Sequence, residues 1–286
     1  MPGLGISVLS NVLATIAVAV VGWLLSVVLR LPFVYRRRRH LFTFLGMNET
    51  DPRLTVYLST VFVRPGGSVD FQGTPRTFAG PAIPAAELSV TEPIAKLFAD
   101  PMLEGLPVAI RMWLGKRVHW SFRSLTPDFR ASPQDRSQVT SGNLLTVGSQ
   151  YYNSAGDLYT ETCGTVLKME QGTQTHGMTI RVRKGPRAGD TFQQRAGQLD
   201  DLAIVEKVCD PATKSTVFIA AGLGVVGTMG AVQFLAEHWN ELWQQFGTKP
   251  FAICLRFHDV LQDPNAFKKP VELSRFSAEQ PYRSTA

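Results

Sequence analysis

The longest hydrophobic run of the chain lies at its amino terminus. Residues 6–29 contain no ionisable side chain, and Arg30 and the block Arg36–Arg39 follow them. A helix needs roughly 20 apolar residues to cross the ~30 Å hydrocarbon core of a bilayer. A signal peptide would begin with basic residues, whereas residues 1–5 carry none, and a buried core helix rarely runs this far without a charge. The pattern predicts a transmembrane helix over residues 6–29.

The arginines that follow the run predict its orientation. No Lys or Arg precedes the run, and the positive-inside bias places arginine-rich flanks on the cytoplasmic side. We therefore expect a single-pass protein of the cell (inner) membrane, with residues 1–5 outside and the rest of the chain in the cytoplasm. Residues 30–52 are predicted to form a basic juxtamembrane linker. Arg36–Arg39 are expected to attract anionic lipid headgroups, at about 1 kcal/mol for each arginine.

Beyond the linker, hydrophobic and polar positions repeat at the short intervals that are typical of strands and helices in a folded domain. Alternating or β-branched segments predict strands, longer amphipathic segments predict helices, and segments rich in Gly, Pro and polar residues predict loops. The predicted strands cover residues 53–64, 117–125, 143–147, 178–182 and 202–208, the helices 85–100, 102–114 and 154–170, and the loops 65–84, 127–141 and 184–197.

The last third of the chain has the clearest pattern. Ser215–Ala221 and Phe251–Phe257 are continuous apolar segments, and Thr228–Phe246 between them has apolar residues at helical spacing. Such strands are buried on both faces, as in parallel sheets, so this region predicts a right-handed βαβ unit. The fold class is therefore α/β, with a Rossmann-like, mainly parallel sheet domain over residues 53–276. A flexible polar tail is predicted over residues 277–286.

The distribution of charge removes nucleic acid as a partner. The chain has net charge +6 and a pI near 9.4, but residues 1–50 hold five arginines against Glu49, a net of +4 that leaves +2 for the rest. The basic pI therefore reports the segment beside the membrane. Cys163, Cys209 and Cys254 are scattered, without metal-ligand spacing, so we expect reduced thiols and no metal site.

A glycine motif follows the strand at 215–221. Residues 222–227 read Gly-Leu-Gly-Val-Val-Gly, and Thr228 opens the next helix. Glycine amides and a helix N-terminus in this context can hold a phosphate. Gly222 would form the turn, Gly224 would let the phosphate approach, Gly227 would let helix and strand pack closely, and Thr228 would donate its hydroxyl. The alternative is that the glycines serve only the turn and the packing.

A second strand-to-helix junction carries polar and aromatic residues. The strand at 143–147 ends in Gly148 and Ser149, and Tyr151 and Asn153 lead into the next helix. Ligands of open α/β sheets bind outside the carboxyl ends of strands, where Gly148, Ser149 and Asn153 would contact ribose or phosphate and Tyr151 or Tyr152 would stack on a base. Ordinary turn chemistry, with Asn153 as N-cap, is the alternative. Arg76, in the loop after the first strand, is a further candidate phosphate contact.

An amino-terminal anchor, a basic linker and these two loops together resemble membrane-tethered nucleotide-sensing proteins of bacterial defence and signalling. The resemblance rests on the Gly148-Ser149…Asn153 and Gly222-to-Thr228 segments. It implies that a nucleotide or NAD-like ligand alters assembly or membrane behaviour without requiring turnover, and it allows a homo-oligomer.

Two other function classes stay open. One is an enzyme on the same fold, either an N-glycosidic hydrolase or transferase or an NAD(P)-dependent oxidoreductase, with Glu92, Asp157 or Glu161 as candidate carboxylates. No histidine has a nucleophile or acid at recognisable spacing, so the sequence leaves open whether a reaction is catalysed. The other is a membrane scaffold whose glycine loops are only structural.

Overall fold

The computed structural model describes most of the chain. Residues 41–98 and 118–286 belong to the larger of two compact units, called the domain below, and residues 1–40 belong to the other. The described residues are 3–59, 61–63, 68–71, 74–77, 80–82, 88–98, 119–123, 142–171, 178–194, 200–258, 260, 263 and 265–277.

The first helix, α1, covers Gly3–Leu45. Its stretch Val12–Leu45 is long and apolar enough to cross a membrane, by length and composition, and little of its surface is buried. The segment predicted as a linker over residues 30–52 is therefore helical as far as Leu45. Arginine is a good helix former, so the helix continues through the basic block. It ends before Gly46, whose left-handed conformation (φ of +72°) commonly terminates a helix.

The last turn of α1 lies in the hydrophobic core of the domain. Phe44 is fully buried, and its ring centroid lies 5.2 Å from that of Phe218 and 6.1 Å from that of Phe251. The side-chain Nδ2 of Asn143 donates to the Gly46 carbonyl at 2.7 Å, and its Oδ1 accepts the backbone N–H of Thr216 at 3.0 Å. This side chain fixes the end of α1 to the sheet.

The domain is built on a seven-stranded sheet. Its strand order is β14-β13-β11-β12-β7-β1-β6, and five strands run in one direction while β11 and β14 run in the other. The fold is thus mixed α/β with a mostly parallel sheet. The seven strands are β1 Arg53–Leu58, β6 His119–Arg123, β7 Leu144–Val147, β11 Asp201–Cys209, β12 Thr216–Gly222, β13 Phe251–Phe257 and β14 Val271–Ser277.

Each face of this sheet packs on a different layer. One face is covered by the end of α1 and by helices α2 (Thr91–Phe98) and α4 (Val225–Phe246). The other is covered by helix α3 (Ser154–Thr162) and a small antiparallel sheet of β8 (Leu167–Gln171), β9 (Met178–Val182) and β10 (Thr191–Gln193). Short strands also pair as β2 Val61–Val63 with β5 Gly80–Ala82, and β3 Ser68–Phe71 with β4 Thr74–Thr77; a 3-10 turn covers Ala266–Lys268.

Several predicted elements differ from the structure. The helix predicted over 154–170 ends at Thr162, because Gly164 takes a φ of +63° and the chain then enters β8. The loops predicted over 65–84 and 184–197 contain short strands. The two strands of the predicted βαβ unit, β12 and β13, are not neighbours in the sheet, because antiparallel β11 lies between them. Ser277, predicted to open the tail, is the last residue of β14; residues 278–286 and the helix predicted at 102–114 lie outside the described residues.

Candidate functional site

The glycine loop after β12 holds an anion that belongs to the chain itself. Asp201, the first residue of β11, lies beside this loop because β11 is antiparallel to β12. Its carboxylate accepts the backbone N–H of Gly224 at 2.9 Å, of Gly227 at 2.7 Å and of Leu202 at 2.8 Å. The Gly224 and Gly227 amides belong to the N-terminus of α4, where orphan N–H groups and the helix dipole favour a negative charge. The carboxylate of Asp201 thus occupies the position at which the sequence predicts a phosphate.

Neighbouring atoms approach the three glycines of the motif too closely for any of them to carry a side chain. A Cβ on Gly224 would lie 2.7 Å from Asp201 Oδ2, and one on Gly227 would lie 2.7 Å from the Leu202 carbonyl oxygen. A Cβ on Gly222 would lie 2.1 Å from the Thr228 amide nitrogen, so a side chain there clashes with backbone. Gly222 and Gly227 therefore have the turn and packing roles that the motif predicts, and Gly224 admits a carboxylate.

Thr228 also has its partners within the loop. Its hydroxyl donates to the Gly224 carbonyl at 3.0 Å and accepts the Gly222 N–H at 3.1 Å. A phosphate at this loop would have to displace Asp201 and break these bonds. Phosphate binding by Gly222, Gly224, Gly227 and Thr228 stays a prediction, and in this structure the loop is closed by its own side chains.

The second predicted loop lies next to the first. β7 and β12 are parallel neighbours, and the Gly148 N–H donates to the Ala220 carbonyl at 3.0 Å. Asn153 is buried; its amide donates to the carbonyls of Tyr57 and Val147, both at 2.8 Å, and its oxygen accepts the Gly156 N–H at 3.0 Å. Asn153 is therefore the N-cap of α3 and joins it to β1 and β7.

The other residues of this loop differ in how accessible they are to a ligand. Ser149 is buried, and its hydroxyl lies 3.4 Å from the Tyr151 N–H. Tyr151 and Tyr152 are 49% and 59% exposed, so their rings are accessible for stacking. Arg76 lies in β4, opposite Val69. The edge where β1, β7 and β12 end, here called the carboxyl edge, thus brings together the loops at Gly148 and Gly222.

An ionic cluster that sequence reasoning missed lies at the same edge. Asp200 is buried, and its Oδ1 lies 2.9 Å from His258 Nδ1, while its Oδ2 lies 3.6 Å from Arg256 Nε. The register that pairs Asp201 with Phe257 places Asp200 and His258 one position further along the two strands. The pair is 58 residues apart in sequence, so no spacing motif reveals it. A buried carboxylate that orients an imidazole is suited to proton transfer.

A cavity of about 730 Å³ lies at the opposite edge of the sheet, here called the amino edge. It is bordered by the end of β11, the start of β13 and the end of β14, away from both predicted loops. Charged and sulfur-bearing side chains line it together with aromatic ones such as Phe246 and Phe251. The former include Lys184, Glu206, Lys207, Glu272, Arg275 and Cys209.

Glu206 is a buried acid that lines this cavity. Its carboxyl oxygens accept the N–H of Val166 at 2.6 Å and of Leu167 at 3.2 Å, which fixes the start of β8 to the main sheet. Burial raises the pKa of Glu206 to about 8, and these N–H groups offset only part of that cost. Glu206 is therefore predominantly uncharged at neutral pH.

Lys207, the next residue, points to the other face of the sheet. Its Nζ donates to the Gly247 carbonyl at 3.2 Å, at the end of α4, and lies 4.8 Å from the ring centroid of Phe44. Burial lowers the pKa of Lys207 to about 8, which leaves it mostly charged at pH 7. Among the described residues, no carboxylate pairs with this buried ammonium.

Comparison with known proteins gives no relative. No family model, no curated protein and no solved structure matches this chain. In the part of the chain that the structure describes, no group of three or more His, Cys, Asp or Glu side chains is placed to hold a metal ion.

Replacing Asp201 by Ala should destabilise the domain by about 3 kcal/mol, because three N–H groups, two of them at the start of α4, lose their acceptor. For a domain of this size, the apparent Tm in detergent should fall by roughly 6–12 °C. Asp190→Ala is the control, since Asp190 makes a half-exposed ion pair with Arg187 worth at most ~1 kcal/mol. Equal Tm values for the two variants would show that Asp201 does not hold the loop.

Glu206 should make the folded domain less stable as the pH rises. Between about pH 4.5 and about pH 8 the folded chain keeps a proton that the unfolded chain has released, so stability falls across this window and the full cost is present above it. In Glu206→Gln the decrease in Tm between about pH 5 and about pH 8 should be shallower than in the wild type. Glu92→Gln, at an exposed ion pair with Lys96, should keep the wild-type slope; parallel curves for all three proteins would refute this account.

Proposed function

We propose that this protein is a single-pass protein of the inner cell membrane whose Rossmann-like domain faces the cytoplasm. The domain binds a nucleotide or another phosphorylated small ligand and acts as a sensor or signalling module. The lipid bilayer is its first partner, with anionic headgroups drawn to Arg36–Arg39.

The observation that carries the anchoring is the surface of α1. Most large apolar side chains between Val12 and Phe33, among them Leu24 and Leu29, are about half or more exposed on this helix. An exposed apolar surface of this length is costly in water and is stable in lipid. Arg36–Arg39 follow within the same helix, as expected for the cytoplasmic end of a membrane span.

A binding role is favoured over catalysis by the way the candidate carboxylates are engaged. Glu92 pairs with Lys96 at 2.7 Å, and Glu161 pairs with Lys168 at 2.7 Å, both near the surface. Burial and the nearby Glu161 raise the pKa of Asp157, which is partly buried on α3. The Asp200–His258 pair is the specific observation that favours the alternative, an enzyme that uses His258 as a general base.

The topology is testable with the chain's own thiols. Cys209 is exposed and Cys254 is buried. In intact cells of a bacterial host, a membrane-impermeant maleimide should leave Cys209 unlabelled, and labelling should appear once the membrane is permeabilised. A Gly3→Cys variant should react in intact cells. The protein should stay in the membrane pellet after an alkaline wash.

Three results would contradict this topology. Labelling of Cys209 in intact cells would place the domain outside, and release by the alkaline wash would exclude a membrane span. A mature protein whose mass lacks residues 6–29 would identify a cleaved signal peptide.

Ligand binding should appear as thermal stabilisation of the full-length protein in discs of neutral phosphatidylcholine. ATP, NAD⁺ and inorganic pyrophosphate are the probes. A probe at about 100 times its Kd adds about 2.7 kcal/mol, which raises Tm by roughly 5–10 °C. An unchanged probe by mass spectrometry supports the sensor, and a product supports the enzyme. If none of the three changes Tm, the nucleotide-binding part of the proposal is wrong.

A further inference from the structure

The cavity at the amino edge has the properties of a small-molecule site. Its volume of about 730 Å³ lies within the range of roughly 300–1,000 Å³ that ligand pockets occupy. The stacked pair Phe246 and Phe251 borders the cavity together with a few charged groups, which is the usual composition of such pockets.

The charges of the cavity favour an anion. Lys184, Lys207 and Arg275 are cationic. Glu272 is the carboxylate that pairs with Arg275, and burial keeps Glu206 largely protonated at pH 7. Three cations against one anion leave a net charge of +2 around the cavity at pH 7.

Two of these cations are positioned before any ligand arrives. The guanidinium of Arg275 donates to both carboxylate oxygens of Glu272 and to Gln245, which fixes its orientation. Lys207 is 3% exposed, and its ammonium has one carbonyl acceptor, Gly247, and the ring faces of Phe44 and Phe218. A buried ammonium without an anionic partner gains free energy when a ligand anion pairs with it.

We propose that this cavity is the ligand site of the protein, and that it binds a small molecule with a phosphate group and an aromatic part. The phosphate pairs with Lys207, Lys184 and Arg275, and the aromatic part packs on the outer side of the Phe246 ring, which itself stacks on Phe251 with centroids 4.8 Å apart. The inference rests on the proposed ligand-binding function but places the ligand away from the loops at Gly148 and Gly222.

The site also adjoins the end of the anchor helix. Lys207 touches Phe44, which lies in the last turn of α1. A phosphate that draws the ammonium away from this ring changes the packing of residues 41–47. Ligand binding then has a direct route to the membrane helix, as a sensor requires.

Two natural cysteines report whether the cavity is filled. Cys163 and Cys209 line it, whereas Cys254 is fully buried in the core on one face of the sheet. In phosphatidylcholine discs, a saturating probe from the set ATP, NAD⁺ and pyrophosphate should slow maleimide labelling of Cys209 at least fivefold. Cys254 should stay unlabelled with and without the probe, which shows that the fold is intact.

Matched variants locate the site. Lys207→Met and Lys184→Gln should each weaken binding of that probe at least tenfold. Lys168→Gln removes the same charge from β8 outside the cavity and should bind like the wild type. Tyr151→Ala tests the carboxyl edge and should also leave binding unchanged. Because Lys207 is buried, the Tm of Lys207→Met is measured first, and Lys184→Gln, at an exposed position, carries the test if the former unfolds.

The outcomes separate the two proposals. If no probe binds, the proposed ligand-binding function fails. If a probe binds but neither protects Cys209 nor responds to Lys184→Gln and Lys207→Met, the cavity is the wrong site; loss of binding in Tyr151→Ala would then assign it to the carboxyl edge. Protection of Cys209 in phosphatidylglycerol discs without added solute would support the site and identify a lipid headgroup as the source of the phosphate.

Discussion

The hydrogen bonds that the Asp201 carboxylate accepts are the interaction on which the arrangement of the domain depends. One carboxylate ties the start of β11 to the glycine loop and to the first turn of α4. Since α4 covers one face of the sheet, this contact fixes both the helix and the register of the central antiparallel pair. Burial raises the pKa of Asp201, and the three N–H groups counter that rise by stabilising the charged form. The loop geometry of a phosphate site is thus used here to hold an internal anion.

This use of the loop explains why a strong motif is a weak predictor of a ligand. The glycine pattern specifies a tight turn, close helix packing and amides directed at an anion, and the structure has all three. The pattern does not specify whether the anion is a phosphate or a side chain. Asp201 precedes Gly224 by 23 residues and approaches it only because β11 pairs antiparallel with β12. That pairing follows from the tertiary fold and has no local signature.

Other parts of the fold were predictable to the extent that their signals are local. Continuous apolar segments identify β12 and β13, and the uncharged run identifies α1. The change from apolar to basic residues predicts a boundary at residue 29, but arginine is a good helix former and α1 continues to Leu45. β14 was assigned in part to a tail, since an edge strand with exposed polar positions has no strong apolar period. The cavity could not be predicted, because its lining residues come from α4, β11, β13, β14 and the loops around residues 163–166 and 184–186.

Helix α1 continues from its apolar stretch into the core of the domain. Helix α1 runs from Gly3 to Leu45 with Pro32 inside it, so the segment predicted as a flexible basic linker is helical as far as Leu45. Phe44 sits at the domain end of this helix and is fixed by Phe218 and Phe251 on one side and by the Lys207 ammonium on another. A cation–π contact of this kind, at a buried site, contributes about 2 kcal/mol. If the proposed ligand competes for the ammonium, it changes the free energy with which the helix end is held, and by linkage the packing of the helix end changes the affinity for that ligand.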